Sequence, residues 1–395
     1  MPKTSKKSNS PQENRLFMQI IYIRTFAEVA IILIAQNKNQ QLILADPTLN
    51  KNQTYYCPSC HKPVHLKLGS IIRPHFAHFQ NDACDVFAEG ETFEHVEGKI
   101  QLSQWLKTLG LQVAIEAYLP ALKQRPDLLV YTSPKPIALE FQCSPIPIEK
   151  VVERTRGYLE AEYEVVWILG KKFTYKNRLT AFHKACLNKE LNLFHYDTEK
   201  EELWIRDGFY LNPQERMRCQ QRKLVFGEAF NLPKWTENKF PQQRPDLQKR
   251  HQQLLHLRAE KMSAFQQALY QENENLVSMP KELYTVLPSE WSIQDFSYLW
   301  KYRLLLWLES QSKYKIITKK SLANWFKQGE VELYEMTQIT TQQALQPLYE
   351  FLEVLTQSQC VKKMSNQKWS FHHPAKRYKF LEDKLKFDEF SHTIF

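Results

Sequence analysis

Between Gly90 and Leu109 the apolar residues Phe93, Ile100, Leu102, Trp105, Leu106 and Leu109 recur at a helical period, and Gly110 follows where a helix would end on a left-handed residue. Beyond it the period changes to two. Leu111 to Leu119, Arg125 to Tyr131 and Ile137 to Cys143 read as strands, the last two joined by the turn sequence Thr132-Ser133-Pro134-Lys135-Pro136. Ile148 to Glu162 is helical again, with Val151, Val152, Thr155, Tyr158 and Leu159 along one side. Val165-Val166-Trp167-Ile168-Leu169 is the continuous apolar run of a strand covered on both faces in a parallel pairing. The predicted order is helix, three strands, helix, strand: an α/β arrangement.

The flanks differ from this centre. Residues 1–15 are polar and read as a disordered tail, and 16–55 as a small β element whose runs break at Asn37-Lys38-Asn39-Gln40. Lys3, Lys6 and Lys7 ahead of the apolar stretch from Leu16 to Ala35 imitate a signal peptide. Arg24 and Glu28 interrupt that stretch, however, so a buried β-hairpin and no membrane span are expected. Beyond about residue 210 the sequence turns Gln-, Lys- and Leu-rich, with a long helix predicted from Asp246 to Glu272. A helix from Gln342 to Gln357 precedes two short runs around Ser365-Asn366-Gln367, which reads as ordinary helix-plus-hairpin packing in preference to a winged-helix-like hairpin. The boundaries that follow are a cysteine- and histidine-rich segment at 56–88, the α/β domain at 89–210 and a basic helical domain at 211–395.

Composition narrows the chemistry. The 395 residues are 43% hydrophobic and 24% charged, an ordinary globular balance. Nine glycines and no Gly-rich phosphate motif argue against nucleotide-driven motors and dinucleotide enzymes. A formal charge of +10 favours a polyanionic partner. Seven scattered cysteines suit a reducing cytoplasm rather than a disulfide framework.

Cys57-Pro58-Ser59-Cys60, followed by His75-Phe76-Ala77-His78, approaches the spacing of a closed four-ligand zinc site, with His61, His65 and Cys84 as spare candidates. This predicts a structural zinc held by Cys57, Cys60, His75 and His78. The two histidines would point the same way from one helical turn or tight loop.

A second constellation lies in the strands. Folding the chain about Ser133-Pro134 pairs positions whose numbers sum to about 267, which sets Asp127 opposite Glu140. Alternation puts Glu140 and Gln142 on one face. Carboxylates inside apolar runs are costly unless neutralised, and a divalent cation does that. Glu91, His95 and Lys99 recur along one face of the preceding helix, with Glu94 beside them. Mg²⁺ or Mn²⁺ held by Asp127 and Glu140 would support metal-assisted phosphodiester hydrolysis.

These segments, with Gly90-Glu91, Arg125-Pro126-Asp127, Ala138 to Ser144 and Glu153-Arg154-Thr155 with Tyr158, resemble in order across residues 17 to 210 the competence protein CoiA family of naturally transformable bacteria. The resemblance implies a PD-(D/E)XK nuclease-like α-β-β-β-α-β core. It implies a role in processing or recombining incoming DNA, expected to be single-stranded, with recombination proteins as further partners. Carried over by position, Pro126-Asp127 is the first catalytic motif and Glu140-Phe141-Gln142 stands where Glu-x-Lys is usual. Glu91 or Glu94, with His95, comes from the first helix. Gln142 departs from the pattern: it can orient water or phosphate, but it lacks the lysine charge that stabilises a developing anion. Lys99, Arg125, Arg154 and Tyr158 are the residues expected at DNA. Three readings remain: a metal-dependent deoxyribonuclease, a non-catalytic DNA-binding or recombination-mediator protein on a degenerate nuclease scaffold, and a purely structural role through the zinc segment and helical tail.

Overall fold

In the computed structural model, residues 32–58, 60–69, 74–79, 92–228, 234, 246–256, 260–365 and 367–386 are described. The predicted tail at 1–15, most of the 16–35 hairpin, Cys84 and Glu91 lie outside them. The chain divides into two units, Met1–Ser144 and Pro145–Phe395.

The first unit opens with β1 (Ile34–Gln36), β2 (Leu42–Leu44), β3 (Tyr55–Tyr56), β4 (Pro63–Lys67) and β5 (His75–His78), a sheet in the order β2-β1-β3-β4-β5. The polar break between β1 and β2 is a turn because the Asn37 side-chain oxygen accepts from the N–H groups of Asn39 and Gln41. Ile32, Ala35, Tyr55, Cys57, Val64, Leu66 and Phe76 form its core.

Next comes α1 (Phe93–Thr108), started by Thr92, whose hydroxyl accepts from the His95 N–H at 3.3 Å. It stops at Gly110, φ +79°, where the N–H groups of Gly110 and Leu111 bond the carbonyls of Lys107 and Leu106. The predicted apolar face holds except at Phe93, which is exposed. β6 (Gln112–Ile115), β7 (Leu128–Tyr131) and β8 (Ile137–Gln142) follow as antiparallel neighbours. Leu128 pairs with Leu139 and Val130 with Ile137, the predicted register. At Gly98 an added Cβ would fall 2.1 Å from the Phe141 ring, so glycine lets α1 lie directly on β8.

The second unit begins with α2 (Ile148–Glu160) and β9 (Glu164–Leu169), which pairs in parallel with β10 (Leu193–Asp197) as its apolar run predicts. A short α3 (Ala181–Ala185) lies between them, and β11 (Glu202–Leu211) and β12 (Met217–Val225) complete a long antiparallel hairpin. The helical expectation just beyond residue 210 is corrected here, since β12 pairs back as far as Val225 with Glu202. Its Arg-, Gln- and Lys-rich sequence is that of an outer strand with mostly exposed side chains, which hides a strand from composition.

The single helix expected from Asp246 to Glu272 is two, α4 (Leu247–Leu255), capped by the Asp246 carboxylate, and α5 (Glu260–Gln271). After α6 (Ser297–Glu309) come β13 (Ile316–Thr318), α7 (Lys319–Trp325), α8 (Thr341–Gln357), β14 (Val361–Ser365) and β15 (Lys368–Phe371), then α9 (Leu381–Lys386). The predicted hairpin is present, and β13 adds to it in the order β13-β15-β14. This helix, strand, helix, helix, hairpin order is that of a winged helix, yet α8 is buried along most of Gln343 to Leu355 and packs as core. Among the described residues no helix is long and apolar enough to cross a membrane.

Candidate functional site

The β6–β7–β8 register makes a row of acids. Ile115 pairs with Leu128, and one residue on, the Glu116 N–H donates to the Asp127 carbonyl at 2.9 Å; the same step from Leu128 and Leu139 brings Asp127 opposite Glu140. Glu116, Asp127 and Glu140 therefore neighbour one another on three adjacent strands. Glu116 and Glu140 are 3% and 1% exposed.

α1 supplies the groups that meet them. His95 Nε2 lies 3.0 Å from Asp127 Oδ2, which also accepts from the Phe141 N–H at 2.8 Å. One turn on, Lys99 Nζ donates to Glu116 Oε1 at 2.6 Å and stands 3.8 Å from Asp127 Oδ1. Arg125 Nη1 donates to Glu116 Oε2 at 3.1 Å. Burial pushes the Glu116 carboxyl up, but Lys99 and Arg125 outweigh it and hold the group below its ordinary value. The helical face predicted from His95 and Lys99 thus does converge on Asp127.

This geometry corrects three sequence expectations. Lys99 is wholly buried and Arg125 nearly so, each spent on Glu116, because an internal carboxylate must find its cation within the protein. Neither offers its charge to a solvent-borne strand of DNA. Tyr158 is fully buried in α2 and cannot touch a phosphate, while the Arg154 guanidinium lies 5.8 Å from the centre of the Trp167 ring. Gln142, half-buried at the end of β8, donates its amide to the Ser144 carbonyl at 2.6 Å. Glu94 sits half-buried in the first turn of α1.

Glu116 is the residue that sequence reasoning missed. The signal was present, since a turn around Ala121 and Leu122 pairs positions summing to 243 and sets Glu116 opposite Asp127. Leu119 and Gln124 do form such a bridge.

Oxygen donors of this kind suit a hard cation. Glu116 is met by Lys99 and Arg125, and Asp127 by His95 and, at 3.8 Å, Lys99. The cysteines give a tighter set. Among the described residues, Cys57, Cys60 and His78 are the group of three such side chains whose donor atoms all lie within 4.8 Å of one another, with Cys60 Sγ 3.2 Å from His78 Nε2. Local folding explains it: the His61 N–H bonds the Cys57 carbonyl and the Cys57 N–H the Lys62 carbonyl, a tight knuckle between β3 and β4. Pairing of Val64 with His78 then brings the end of β5 beside that knuckle.

His75 is not in this group, and the predicted four-residue set is corrected. Residues 75–78 form a strand instead of a helical turn or loop, so side chains three apart point to opposite faces. His65, paired with Ala77, lies on the His75 face, and burial, with neighbouring Lys67, His75 and His78, holds its pKa low. His61 is exposed at the knuckle.

Two family patterns match this chain in order. The family pattern "Competence protein CoiA, N-terminal domain" matches residues 35–87, and "Competence protein CoiA, nuclease-like domain" matches residues 91–240. The chain belongs to the competence protein CoiA family. It is 32% identical over 164 residues to Competence protein CoiA of Bacillus subtilis (strain 168), a match covering 42% of this chain and 40% of that protein. No solved structure matches. The nuclease-like match ends beyond β12, so it takes in that strand, which composition assigned to the following domain.

Proposed function

We propose that this protein acts in the cytoplasm on incoming DNA during natural transformation, and that its nuclease-like domain hydrolyses phosphodiester bonds at the Asp127–Glu140 hairpin. The observation that carries the reading is the row of Glu116, Asp127 and Glu140 faced by His95 and Lys99 from α1. The element order from α1 to β9 suits a PD-(D/E)XK core.

Asp127 and Glu140 would hold Mg²⁺ or Mn²⁺, an ion that commonly uses one or two carboxylates and completes its shell with water and phosphate. When bound, such an ion supplies Lewis-acid polarisation of the phosphodiester. The chain's own groups do the positioning. His95 and the Phe141 N–H fix one oxygen of Asp127, and Lys99, bonded to Glu116, stands 3.8 Å from the other. Cys57, Cys60 and His78 suit zinc, whose preference is for thiolate and imidazole donors.

The test is cleavage of single- and double-stranded DNA in Mg²⁺ or Mn²⁺ by the full chain. Glu140→Ala is expected to abolish metal-dependent cutting, and equal cutting by variant and wild type rejects the assignment. A second reading, a DNA-binding or recombination-mediator protein on a nuclease scaffold, is favoured by the Gln142 amide being turned to Ser144 and by the ion pairs already formed at Glu116. Salt-dependent DNA binding with no metal-dependent turnover supports it.

A further inference from the structure

In the second unit, a cavity of about 550 Å³ is lined by Arg178, Lys184, Arg216 and Arg218 together with Trp291 and Tyr334. That volume suits a small organic ligand. The acid on its wall, Glu215, is paired with Arg250 at 2.8 Å, so four basic side chains face the space with little to oppose them.

Lys184 is the informative one. On α3 it is 5% exposed, with its Nζ 3.1 Å from the centre of the Tyr334 ring, and among the described residues no carboxylate lies within ion-pair distance of it. Buried lysines are ordinarily paired. Contact with a ring offsets part of the desolvation. Even so, burial and the Arg178 charge lower its pKa to about 7. An anion in the cavity would relieve both. Trp291 is anchored by its Nε1–H donating to the Phe209 carbonyl at 3.0 Å, which limits the reordering that ligand binding would cost.

We propose that this cavity binds one nucleotide unit, with its phosphate at Lys184 among Arg178, Arg216 and Arg218 and its base against Trp291 and Tyr334. Cationic side chains beside aromatic faces are the combination that holds a nucleotide without reading its sequence. The site requires no hydrolysis at the hairpin and stands apart from that reading. The nucleotide is either free or the phosphorylated end of a DNA strand.

Calorimetric titration of the full chain with dTMP, a 5′-phosphorylated oligothymidine, its 5′-hydroxyl counterpart and inorganic phosphate tests it. In Lys184→Met, nucleotide affinity is expected to fall about tenfold or more. Arg216→Gln, at an exposed position, is the second variant and is expected to weaken binding without lowering the melting temperature. Preference for the phosphorylated over the hydroxyl strand supports a strand end, and equal affinity for dTMP and the phosphorylated strand supports a free nucleotide. Absence of binding by wild type, unchanged affinity in both cavity variants, or phosphate bound as tightly as dTMP overturns the proposal.

Discussion

Lys99 shows how a single side chain decides what an acidic cluster can do. Its ammonium is wholly buried and shared between Glu116 and Asp127, so removing it leaves carboxylates in a poorly solvated place. Breaking one side of a buried pair costs about 3–5 kcal/mol. Lys99→Met is therefore expected to lower unfolding free energy by about that amount at pH 7, measured in urea. The pH dependence follows from Glu116, whose folded-state carboxyl sits below its ordinary value. Its contribution is present above the unfolded pKa and is lost as pH falls through the folded one. In Lys99→Met that acid limb is expected to flatten, because less pairing remains to be lost; a limb as steep as in wild type would count against the pairing.

Among elements, α1 and the β7–β8 hairpin form the working pair. The helix reaches Asp127 because Gly98 admits the Phe141 ring, bringing His95 and Lys99 down onto the strands. Gly98→Ala must push helix and strand apart, and overpacking of this kind costs about 1–3 kcal/mol. We expect a lower melting temperature and, in the folded fraction, a larger fractional loss of DNA cleavage than of DNA binding; unaltered cleavage would separate α1 from the site. The hairpin register was legible in advance because a Pro-containing turn fixes which residues meet, and the arithmetic about residue 133 put Asp127 opposite Glu140. The helix contacts were legible only as a face. What the face packs against, and that it turns Lys99 inward, depends on the approach that a glycine permits.

For the whole molecule, two chemically different donor sets separate along the chain, sulfur and imidazole at Cys57, Cys60 and His78, carboxylate at the β6–β8 row. Elemental analysis of the purified chain is expected to find about one zinc atom, retained against Mg²⁺ exchange and lost in Cys57→Ser, with a lower melting temperature after chelation; a zinc-free chain of unchanged stability would reject that assignment. The basic excess favours a polyanion, yet individual cations divide sharply by fate. Lys99 and Arg125 are internal, whereas Arg178, Arg216 and Arg218 line a cavity.

The order of elements from Phe93 to Leu169, the register of the Asp127 hairpin and the pairing of two cysteines with a histidine were written in the sequence, because period, turn chemistry and short spacings are local properties. Three things were decided by the tertiary structure. His75 leaves the metal group because the segment is extended; Glu116 enters the acidic row because a second hairpin lays it beside Asp127; and Lys184 becomes a buried cation at a cavity because elements distant in the chain close around it. The turn spacing of Glu116 and Asp127 was legible, but the neighbours that bury these side chains are not revealed by sequence separation, and the desolvation they impose sets whether a charged side chain is a structural partner or a binding group.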